Sequence, residues 1–366
     1  MIKAASPMST SSNKAIRLGH LYVGEGYPPL VVAELSGNHG GNLEAARSLI
    51  DLAARAGARA IKLQTYTADS MTLALNEGDF RISDPKSLWY NRGLHELYQS
   101  AATPYEWHEP LFNYAKEKGL LAFSSPFDEQ AVDFLETLDV PCYKIASFEL
   151  THLPLIRYVA KTGKPLVLST GMATYEEIGE AVEAARNAGA TNLILLKCSS
   201  RYPAELRAAH LGELEILTRS FDCPVGYSDH TIGSQASILA CALGASLIEK
   251  HLAHKDGRIE IDGAFSADFN ELKAIVEGVY QAWEARSGTN SVREDWSERQ
   301  YRRSIYVAED VQSGDSFSRS NVRIVRPGKG LHPRYWERVL NSRASCFIAK
   351  GTALTLEHLS EGEPSD

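Results

Sequence analysis

The sequence has no long hydrophobic run and no excess of positive charge. None of its apolar stretches approaches the roughly 18 consecutive residues that a membrane-spanning helix needs. Its 38 Lys and Arg residues are outnumbered by 46 Asp and Glu residues, which gives a formal net charge of −8. The chain as a whole therefore offers no cationic surface to a nucleic acid backbone. We expect neither a membrane nor a nucleic acid as a partner, and any anionic substrate must be met by a few placed cations.

Cysteine is scarce as well, and there is no secretory signal pattern. The five cysteines are odd in number, widely spaced and set mostly in apolar runs. Such usage favours reduced, buried thiols and a cytoplasmic location. Residues 1–16 are polar and Ser-rich and lack the apolar core of a secretory signal, so we interpret them as a flexible N-terminal arm.

The sequence does contain a regular alternation of short β-rich runs and amphipathic helical stretches. No strand-to-helix turn carries Gly-x-Gly-x-x-Gly, which argues against a dinucleotide-binding fold. Eight alternating units of about 250 residues in total are typical of a TIM barrel. We therefore predict an α/β fold, a TIM (β/α)8 barrel over residues 17–286, with strands at residues 30–35, 60–65, 120–126, 142–147, 165–170, 193–199, 224–230 and 246–252.

The other segments differ in character from the barrel units. Residues 66–104 are too long for a tight strand-to-helix connection and are predicted to be an elaborated loop at the catalytic face. Residues 287–303 are polar and charged, as expected of a linker. Residues 304–361 show short β patterns separated by Gly and Ser turns, which indicates a second, small domain. Because a unit of this size buries only a modest core, we expect it to dock on a barrel, its own or a partner's.

Polar residues end every predicted barrel strand, and this is where TIM barrels carry their catalytic groups. Lys62 and Lys144 supply point charge and serine and threonine hydroxyls supply donors, which together suit a small, multiply anionic ligand. The alternative is a solvated rim on which lysines and glutamates pair with one another. That alternative is reasonable for one lysine but poor for eight strand ends together.

His230 and His251 are one β/α repeat apart, and both lie at the ends of predicted strands. Two imidazoles pointing into the barrel mouth could hold a divalent metal such as Mn, Zn or Fe, with the other positions left to water or substrate. A hydrogen-bonded structural role is the alternative for each histidine. The residues alone thus indicate an enzyme for an anionic, phosphorylated small molecule with metal assistance, and they do not identify the substrate.

A series of motifs in a fixed order adds a family resemblance. From residue 17 to residue 360 the chain resembles the sialic acid synthase family, the phosphoenolpyruvate-dependent synthases of nine-carbon nonulosonic acids. Residues 88–120 further resemble the pseudaminic acid synthase branch rather than the N-acetylneuraminate branch. The motifs that carry the family resemblance are VVAELSGNHGG, AIKLQTY, FSSPFD, YKIASFE, LSTGMAT, LLKCSSRYP, VGYSDHT, IEKH, RRSIYVAEDV and VRPGKGL.

The resemblance implies an activity and an assembly. Phosphoenolpyruvate would condense with the open-chain form of an N-acetylated amino sugar and with water, releasing phosphate. In the pseudaminic branch the sugar is a 2,4-diacetamido-2,4,6-trideoxy hexose of the altrose type; the alternative is an N-acetylneuraminate or legionaminate synthase using an N-acetylmannosamine-type sugar. A C-terminal antifreeze-like (SAF) domain would cap the partner's active site in a domain-swapped homodimer. The metal would be Mn²⁺, with Mg²⁺ or Co²⁺ as alternatives, held by His230 and His251.

The resemblance also assigns roles to individual residues. Glu34 and Glu149 join the two histidines as catalytic residues, with Glu34 the first choice and Glu149 the second to take a proton from the reacting water. A buried ion pair with Lys62 is the alternative role for Glu34. The sugar is assigned to Gln64, Tyr202, Asp262 and, from the small domain, Arg326. Phosphoenolpyruvate is assigned to Lys62, Ser125, Lys144, Ser147, Ser169, Ser200 and Ser228.

Two departures from the family pattern and two competing functions remain at this point. Leu252 and residues 253–261 do not match the family, and Ser200 stands where the neuraminate branch has asparagine, so the identity of the sugar is the open question. A different metal-dependent barrel that uses phosphoenolpyruvate is one alternative, and the small domain with Arg326 argues against it. A carbohydrate-binding protein that has lost catalysis is another; the retained lysines, Glu34 and the two histidines argue against that.

Overall fold

The computed structural model describes residues 15–257, 260–287 and 297–361. The chain divides into two compact units, Met1–Arg286 and Ser287–Asp366. Most of the predicted arm and linker lies outside the described residues, as do two residues of the atypical 253–261 segment.

The first unit is built around a closed barrel of eight parallel strands, as the sequence predicts. Each barrel strand is almost fully buried, since helices cover its outer face and side chains fill its interior. The order around the barrel is β10-β3-β4-β5-β6-β7-β8-β9. The strands of this unit are β1 (Ile16–Leu18), β2 (Leu21–Val23), β3 (Leu30–Glu34), β4 (Ala60–Thr65), β5 (Leu121–Pro126), β6 (Tyr143–Ile145), β7 (Leu166–Ser169), β8 (Leu193–Cys198), β9 (Val225–Asp229) and β10 (Leu247–His251).

The helices alternate with the barrel strands, and local signals set their ends. The first helix begins at Asn42, whose side chain accepts the Ala45 N–H at 3.0 Å, and ends at Gly57, whose φ of 88° suits glycine. The helices are α1 (Leu43–Ala56), α2 (Ala68–Met71), α3 (Leu94–Ala101), α4 (Tyr105–Glu117), α5 (Glu129–Thr137), α6 (Leu153–Ala160), α7 (Tyr175–Asn187), α8 (Glu213–Phe221), α9 (Gln235–Ala242) and α10 (Phe269–Ser287). Among the described residues, no helix is both long and apolar enough to cross a membrane.

The β1–β2 hairpin closes the end of the barrel at which the strands begin. Ile16, Leu18, Leu21 and Val23 form one core cluster with interior side chains of the barrel. Ile16, which the sequence reading placed in the flexible arm, is therefore the first residue of a strand. A three-residue strand is too short to show a period in the sequence, which explains the difference. The opposite end of the barrel, where the strands terminate, carries the polar side chains.

The segment between β4 and α4 is long and partly ordered by its own contacts. It contains α2, a 3-10 turn at Gly78–Phe80, and α3. Two backbone hydrogen bonds close its middle part: the Ile82 N–H donates to the Arg92 carbonyl at 3.0 Å, and the Asn91 N–H donates to the Ile82 carbonyl at 2.8 Å. This segment follows the carboxyl end of β4, so it lies at the face where TIM barrels place their sites.

The second unit is a small β-rich fold. Its strands pair antiparallel as β11 (Ser304–Val307) with β12 (Val322–Val325) and β13 (Ser342–Ala344) with β14 (Leu359–Glu361), and α11 (Trp336–Leu340) lies between them in the chain. The core contains nine buried apolar side chains: Ile305, Val307, Val311, Phe317, Val322, Val339, Ala344, Ile348 and Leu354.

Candidate active site

A cavity of about 710 Å³ lies at the carboxyl ends of the barrel strands. Almost all of the site residues predicted from the sequence line it. Ser125 is set behind the lining, where its hydroxyl is 3.4 Å from the Lys62 ammonium nitrogen. Arg326 is an exposed residue of the second unit, directly after β12. The predicted residues that line the cavity are Glu34, Lys62, Gln64, Lys144, Ser147, Glu149, Ser169, Ser200, Tyr202, Ser228, His230, His251 and Asp262.

Two buried lysines and two buried glutamates form a charge network on the cavity floor. The Lys62 Nζ lies 2.6 Å from Glu34 Oε2 and 3.5 Å from Glu249 Oε2. The Lys144 Nζ lies 3.0 Å from Glu249 Oε1. Parallel register brings the ends of neighbouring strands together, since Glu34 pairs with Lys62 on one side and with His251 on the other. The ion pair between Glu34 and Lys62, considered as an alternative from the sequence, is therefore present.

The network fixes the charge of these groups. Burial opposes the charge of Lys144, but Glu249 and Glu34 together raise the pKa of its ammonium group above the usual value. Burial likewise opposes ionisation of Glu34, yet the neighbouring Lys62 lowers its pKa below the usual range. Removing one partner from such a network would leave an uncompensated buried charge. Burial also lowers the pKa of the Lys62 ammonium group, and Glu249 and Glu34 oppose that shift. The cavity floor thus holds two lysine side chains, each beside a carboxylate.

Glu249 belongs to this network, and the sequence analysis did not select it. Its Oε1 also accepts a hydrogen bond from the Ser228 hydroxyl at 2.9 Å. The sequence does contain a signal for Glu249. It lies two residues before His251 on the same strand, and residues two apart on a strand point to the same side. Lys250, between them, points the other way and lies 3.3 Å from Asp229.

His230 and His251 lie side by side, with ring centroids 5.4 Å apart. The His230 Nδ1 donates to the Ser199 carbonyl at 2.8 Å, which leaves a lone pair on Nε2. The Nδ1 of His251 is buried and has no hydrogen-bond partner. Burial lowers the pKa of both rings, to about 3 for His251, so both are neutral, the form in which imidazole binds metals.

The donor set around the histidines is small. Among the described residues, no three His, Cys, Asp or Glu side chains are arranged to hold a metal ion together. Two neutral imidazoles with one unpartnered ring nitrogen nevertheless fit a site in which the protein supplies two ligands and substrate or water supplies the rest.

A pocket of hydroxyl groups lies beside the lysines. The Gly171 N–H donates to Ser147 Oγ at 3.2 Å, and a Cβ at Gly171 would lie 2.7 Å from Cys198 Sγ and 2.9 Å from Ser147 Oγ. Only glycine therefore allows the backbone to pack this closely against the two side chains. The hydroxyl oxygens of Ser169 and Ser200 are buried and have no partner in the protein. Buried polar groups are normally paired, so these free hydroxyls indicate a ligand with oxygen acceptors, such as a phosphate or carboxylate.

Two further carboxyl groups face the cavity and take no part in the ion pairs of the lysine network. Burial raises the pKa of Glu149 to about 7, and its Oε2 has no hydrogen-bond partner. Burial raises the pKa of Asp262 to about 6, although the Ser36 hydroxyl donates to its Oδ2. Both groups can therefore exchange a proton near neutral pH.

The atypical segment after β10 is held together by hydrogen bonds to the carboxylate of one of its own residues, Glu260. Glu260 accepts hydrogen bonds from the backbone N–H groups of His254, at 2.5 Å, and Lys255, at 3.2 Å. Leu252 belongs to the hydrophobic core, so its departure from the family pattern does not alter the cavity surface. The rest of the segment reaches the cavity at Ile261 and Asp262.

The inserted segment between β4 and α4 supplies an apolar side of the cavity. The sequence analysis placed this segment at the catalytic face but named none of its residues. Its position depends on tertiary contacts, among them a hydrogen bond from Trp89 Nε1 to the Ile261 carbonyl at 3.3 Å. The inserted residues that line the cavity are Tyr66, Ser70, Met71, Ile82, Ser87, Trp89, Leu94, Leu97, Tyr98 and Ala101.

Comparison with known proteins gives consistent matches over both units. A sequence profile of the NeuB family matches residues 49–291, and a profile of the SAF domain matches residues 302–360. The chain is 43% identical over 327 residues to a pseudaminic acid synthase of Campylobacter jejuni, covering 88% of this chain and 94% of that protein. It is 41% identical over 338 residues to a pseudaminic acid synthase of Helicobacter pylori, covering 91% and 98%.

Solved structures show the same likeness. The N-acetylneuraminic acid (sialic acid) synthetase of Leptospira borgpetersenii, solved with citrate, superposes with a TM-score of 0.70 at 30% sequence identity. The match covers 78% of this chain and 94% of that one.

Proposed function

The chain belongs to the NeuB family, and from that premise we propose that it is a pseudaminic acid synthase. It condenses phosphoenolpyruvate with a 2,4-diacetamido-2,4,6-trideoxy hexose of the altrose type and with water, giving a nonulosonic acid and phosphate. The choice of branch is supported by 43% identity to a pseudaminic acid synthase, against 30% to an N-acetylneuraminic acid synthetase. The observation that carries the activity is that two buried lysines and two unpartnered hydroxyls lie together on the cavity floor.

Phosphoenolpyruvate binds at that floor in this proposal. Its carboxylate and phosphate are negatively charged and form ion pairs with Lys62 and Lys144, in place of the carboxylates of Glu34 and Glu249. The free hydroxyls of Ser169 and Ser200 supply donors to the ligand oxygens. Ser125, Ser147 and Ser228 adjoin the same groups and complete the proposed set. Gly171 packs directly against this group, because a side chain there would clash with Ser147 and Cys198.

The sugar enters with its aldehyde towards the histidines. The enol carbon of phosphoenolpyruvate forms the new bond to C1 of the sugar, and the sugar carbonyl oxygen takes up a proton to become a hydroxyl. Water adds at the resulting cation on C2 of phosphoenolpyruvate and loses a proton, and the tetrahedral intermediate expels phosphate by cleavage of its C–O bond. A divalent ion held by His230 and His251, which we propose to be Mn²⁺ with Mg²⁺ or Co²⁺ as alternatives, would when bound polarise the sugar carbonyl. Gln64, Tyr202 and Asp262 are proposed to position the sugar.

The reacting water must lose a proton, and two carboxylates are proposed to take it. Glu34 lies beside His251, with 3.6 Å between its Oε2 and the His251 Nε2. Glu149 has a pKa of about 7, which matches a general base that works at neutral pH. Its unpartnered Oε2 is free to accept a hydrogen bond from water.

We also propose that the enzyme is a homodimer in which the small domain of one copy covers the barrel of the other and delivers Arg326 to the sugar. Support comes from the rim of the barrel at the carboxyl ends of its strands, where the loops after β6, β7, β8 and β9 each expose one large apolar side chain. These side chains are Phe148, Met172, Leu206 and Ile232, with 63%, 61%, 52% and 64% of their surface exposed. An exposed apolar rim of this kind is typical of a surface that another domain covers.

A cytoplasmic location is proposed as well. All five cysteines are free thiols, and four of them are buried. This is the state expected in a reducing compartment.

Product analysis tests the proposal directly. The purified enzyme is incubated with phosphoenolpyruvate, Mn²⁺ and a panel of open-chain amino sugars, and phosphate release and product mass are measured. We expect a nonulosonic acid with two acetamido groups, formed from the diacetamido trideoxy hexose with a higher kcat/KM than from N-acetylmannosamine. Equal or better use of N-acetylmannosamine would move the chain to the neuraminate branch. Sugar binding without phosphate release would instead favour a binding protein. Lys144→Met is the control that should remove turnover.

A further inference from the structure

The cavity has two chemically different sides. The floor carries the paired lysines, glutamates and hydroxyls at the strand ends. The inserted segment contributes a second side, the insertion wall, which we define as Ile82, Trp89, Leu94, Leu97 and Tyr98. Four of its five side chains have no oxygen-bearing group, and the same segment also contributes Ser70 and Ser87 to the lining.

The insertion wall is held in place by contacts on both of its flanks. Its middle is closed by the backbone hydrogen bonds between Ile82 and residues 91 and 92. Trp89 donates to the Ile261 carbonyl in the segment that follows β10, and its ring lies 6.5 Å from that of Tyr202. Tyr98 packs edge-on against Tyr66 at the end of β4, with ring centroids 6.0 Å apart. The insertion wall is therefore ordered before a ligand binds, so no free energy of binding is lost in ordering it.

The position of the wall decides which part of the sugar it meets. The reacting carbon, C1, must lie at the floor, where phosphoenolpyruvate and the histidines are proposed to act. An open-chain hexose extends several ångströms from C1, so its far end points away from the floor. The inserted segment follows the carboxyl end of β4 and borders the outer part of the cavity. The far end of the sugar, C5 and C6, therefore meets the insertion wall.

We propose that the insertion wall selects a sugar with a methyl group at C6 over one with a hydroxymethyl group, and that Ile82 and Trp89 determine this specificity. The inference rests on the proposed function. A methyl group buried against apolar side chains gains from leaving water. A hydroxyl placed against Ile82 and Trp89 loses its water partners and finds no acceptor on either side chain, which costs free energy. An apolar pocket rejects an added hydroxyl only moderately, by about 100-fold or less.

Two sugars that differ only at C6 test this inference. One is the 2,4-diacetamido-2,4,6-trideoxy hexose, and the other is its 6-hydroxy counterpart. The measured quantity is the ratio of kcat/KM for the two sugars at saturating phosphoenolpyruvate and Mn²⁺. For the wild-type enzyme we expect a preference of about 10- to 100-fold for the 6-deoxy sugar.

Variants then locate the source of the preference. Ile82→Asn places a hydrogen-bonding amide on the wall and should reduce the ratio about tenfold or more, with the KM for phosphoenolpyruvate unchanged. Ile82→Thr, which is smaller and better tolerated, should reduce it in the same direction if Ile82→Asn does not fold. Leu88→Asn is the matched control, because Leu88 belongs to the same segment but is 49% exposed and does not line the cavity. Its ratio should equal that of the wild type.

The outcomes separate this inference from the proposed function. If the wild type turns over both sugars equally well, or if the Ile82 variants keep the wild-type ratio, the wall does not select at C6 although the synthase activity stands. A change of ratio in Leu88→Asn as large as that in Ile82→Asn would also overturn the inference. If neither diacetamido sugar is turned over while N-acetylmannosamine is, the proposed function itself is wrong and the inference falls with it.

Discussion

The side-chain carbonyl of Asn38 accepts a hydrogen bond from the backbone N–H of Asp262 at 2.9 Å, although 224 residues separate the two in the chain. The Asn38 amide nitrogen donates to the Leu252 carbonyl and to the Ser266 hydroxyl, both at 2.9 Å. One buried amide thus ties both ends of the segment after β10 to the loop after β3. That segment carries Asp262, which faces the cavity.

We predict that Asn38→Asp weakens sugar binding through Asp262. The variant keeps the acceptor but loses both donors and places a carboxylate against the Leu252 carbonyl. The free energy of unfolding should fall by about 1–3 kcal/mol, and the KM for the sugar should rise more than the KM for phosphoenolpyruvate. Asn42→Ala, which removes the α1 cap, is a control of comparable stability loss, about 1 kcal/mol. Equal KM effects in both variants would show that Asn38 acts only on stability.

Buried histidines predict a loss of stability in mild acid. The His108 Nδ1 donates to the Pro104 carbonyl at 3.1 Å and its Nε2 accepts from the Thr65 hydroxyl at 2.8 Å, so the neutral ring is satisfied on both sides. Burial lowers the pKa of His108 from 6.5 to about 4. Because the folded-state pKa is below the unfolded one, the unfolded chain binds the proton first as pH falls. Stability is therefore complete above pH 6.5 and is lost progressively between pH 6.5 and 4.

Denaturant titrations at about pH 7.5 and pH 5 measure this effect. At pH 5 the single buried ring should cost about 2 kcal/mol of unfolding free energy. In His108→Gln the difference between the two pH values should be smaller by about that amount, whatever its stability at pH 7.5. His20→Gln, at an exposed turn, should keep the wild-type difference. A His108→Gln variant with an unchanged difference would contradict the argument.

The dependence of activity on pH should show the protonation of Glu149 on its acidic side. With a pKa of about 7, this carboxyl is increasingly protonated as pH falls through neutrality, and a protonated carboxyl cannot act as a base. We expect kcat/KM to decrease below about pH 7 in the wild type. Glu149→Gln should be slower by about 10²- to 10⁴-fold and should lose that decrease. Glu129→Gln, on the exposed first turn of α5, is the control. Persistence of the acidic decrease in Glu149→Gln would remove Glu149 from the role of base.

The activity should depend on a divalent metal, and binding of that metal should require His230 and His251. We expect a chelator to abolish turnover and Mn²⁺ to restore it. In His230→Ala the calorimetric Mn²⁺ binding signal and the activity should both be lost, while circular dichroism stays that of the wild type. His20→Ala, between β1 and β2, should bind the metal normally. Full activity of the chelated, metal-free enzyme would rule the metal out.

The sequence predicts the barrel and its floor because both depend on local patterns. Alternating strands and helices specify the order of elements, and parallel register then brings Glu34, Lys62 and His251 together without further information. The profile and relatives confirm the family that the motifs indicated. The same reasoning could have identified Glu249 as a site residue, since it shares a strand face with His251.

The insertion wall and the Asn38 contacts were beyond that reasoning for a physical reason. Residues 78–93 show no helical or strand period, and Trp89 is positioned by a bond to Ile261, 172 residues away. Asn38 lies in a motif that was recognised, but its three partners come from the segment after β10. Such positions depend on long-range hydrogen bonds, and a single sequence does not report which distant groups will meet.

The small domain supplies the last prediction. Arg326 is exposed, and Pro327 and Gly328 follow it in the turn after β12. If this turn enters the neighbouring barrel, Arg326→Ala should raise the KM for the sugar much more than the KM for phosphoenolpyruvate, because the barrel lysines bind the latter. Arg323→Ala is the matched control, since Arg323 is also exposed but lies within β12. Its kinetics should stay those of the wild type.

Subunit mixing shows whether the arginine acts in its own copy or in the partner. At a sugar concentration well below the raised KM of Arg326→Ala, Arg326→Ala and Lys144→Ala should each be nearly inactive. A mixed dimer would contain one barrel that keeps its lysine and faces an intact arginine from the other copy, so activity should return in up to one site per mixed dimer. Tagged subunits and native mass spectrometry verify that mixed dimers form. If verified mixed dimers recover no activity, Arg326 acts within its own subunit or takes no part in the reaction, and the composite site is wrong.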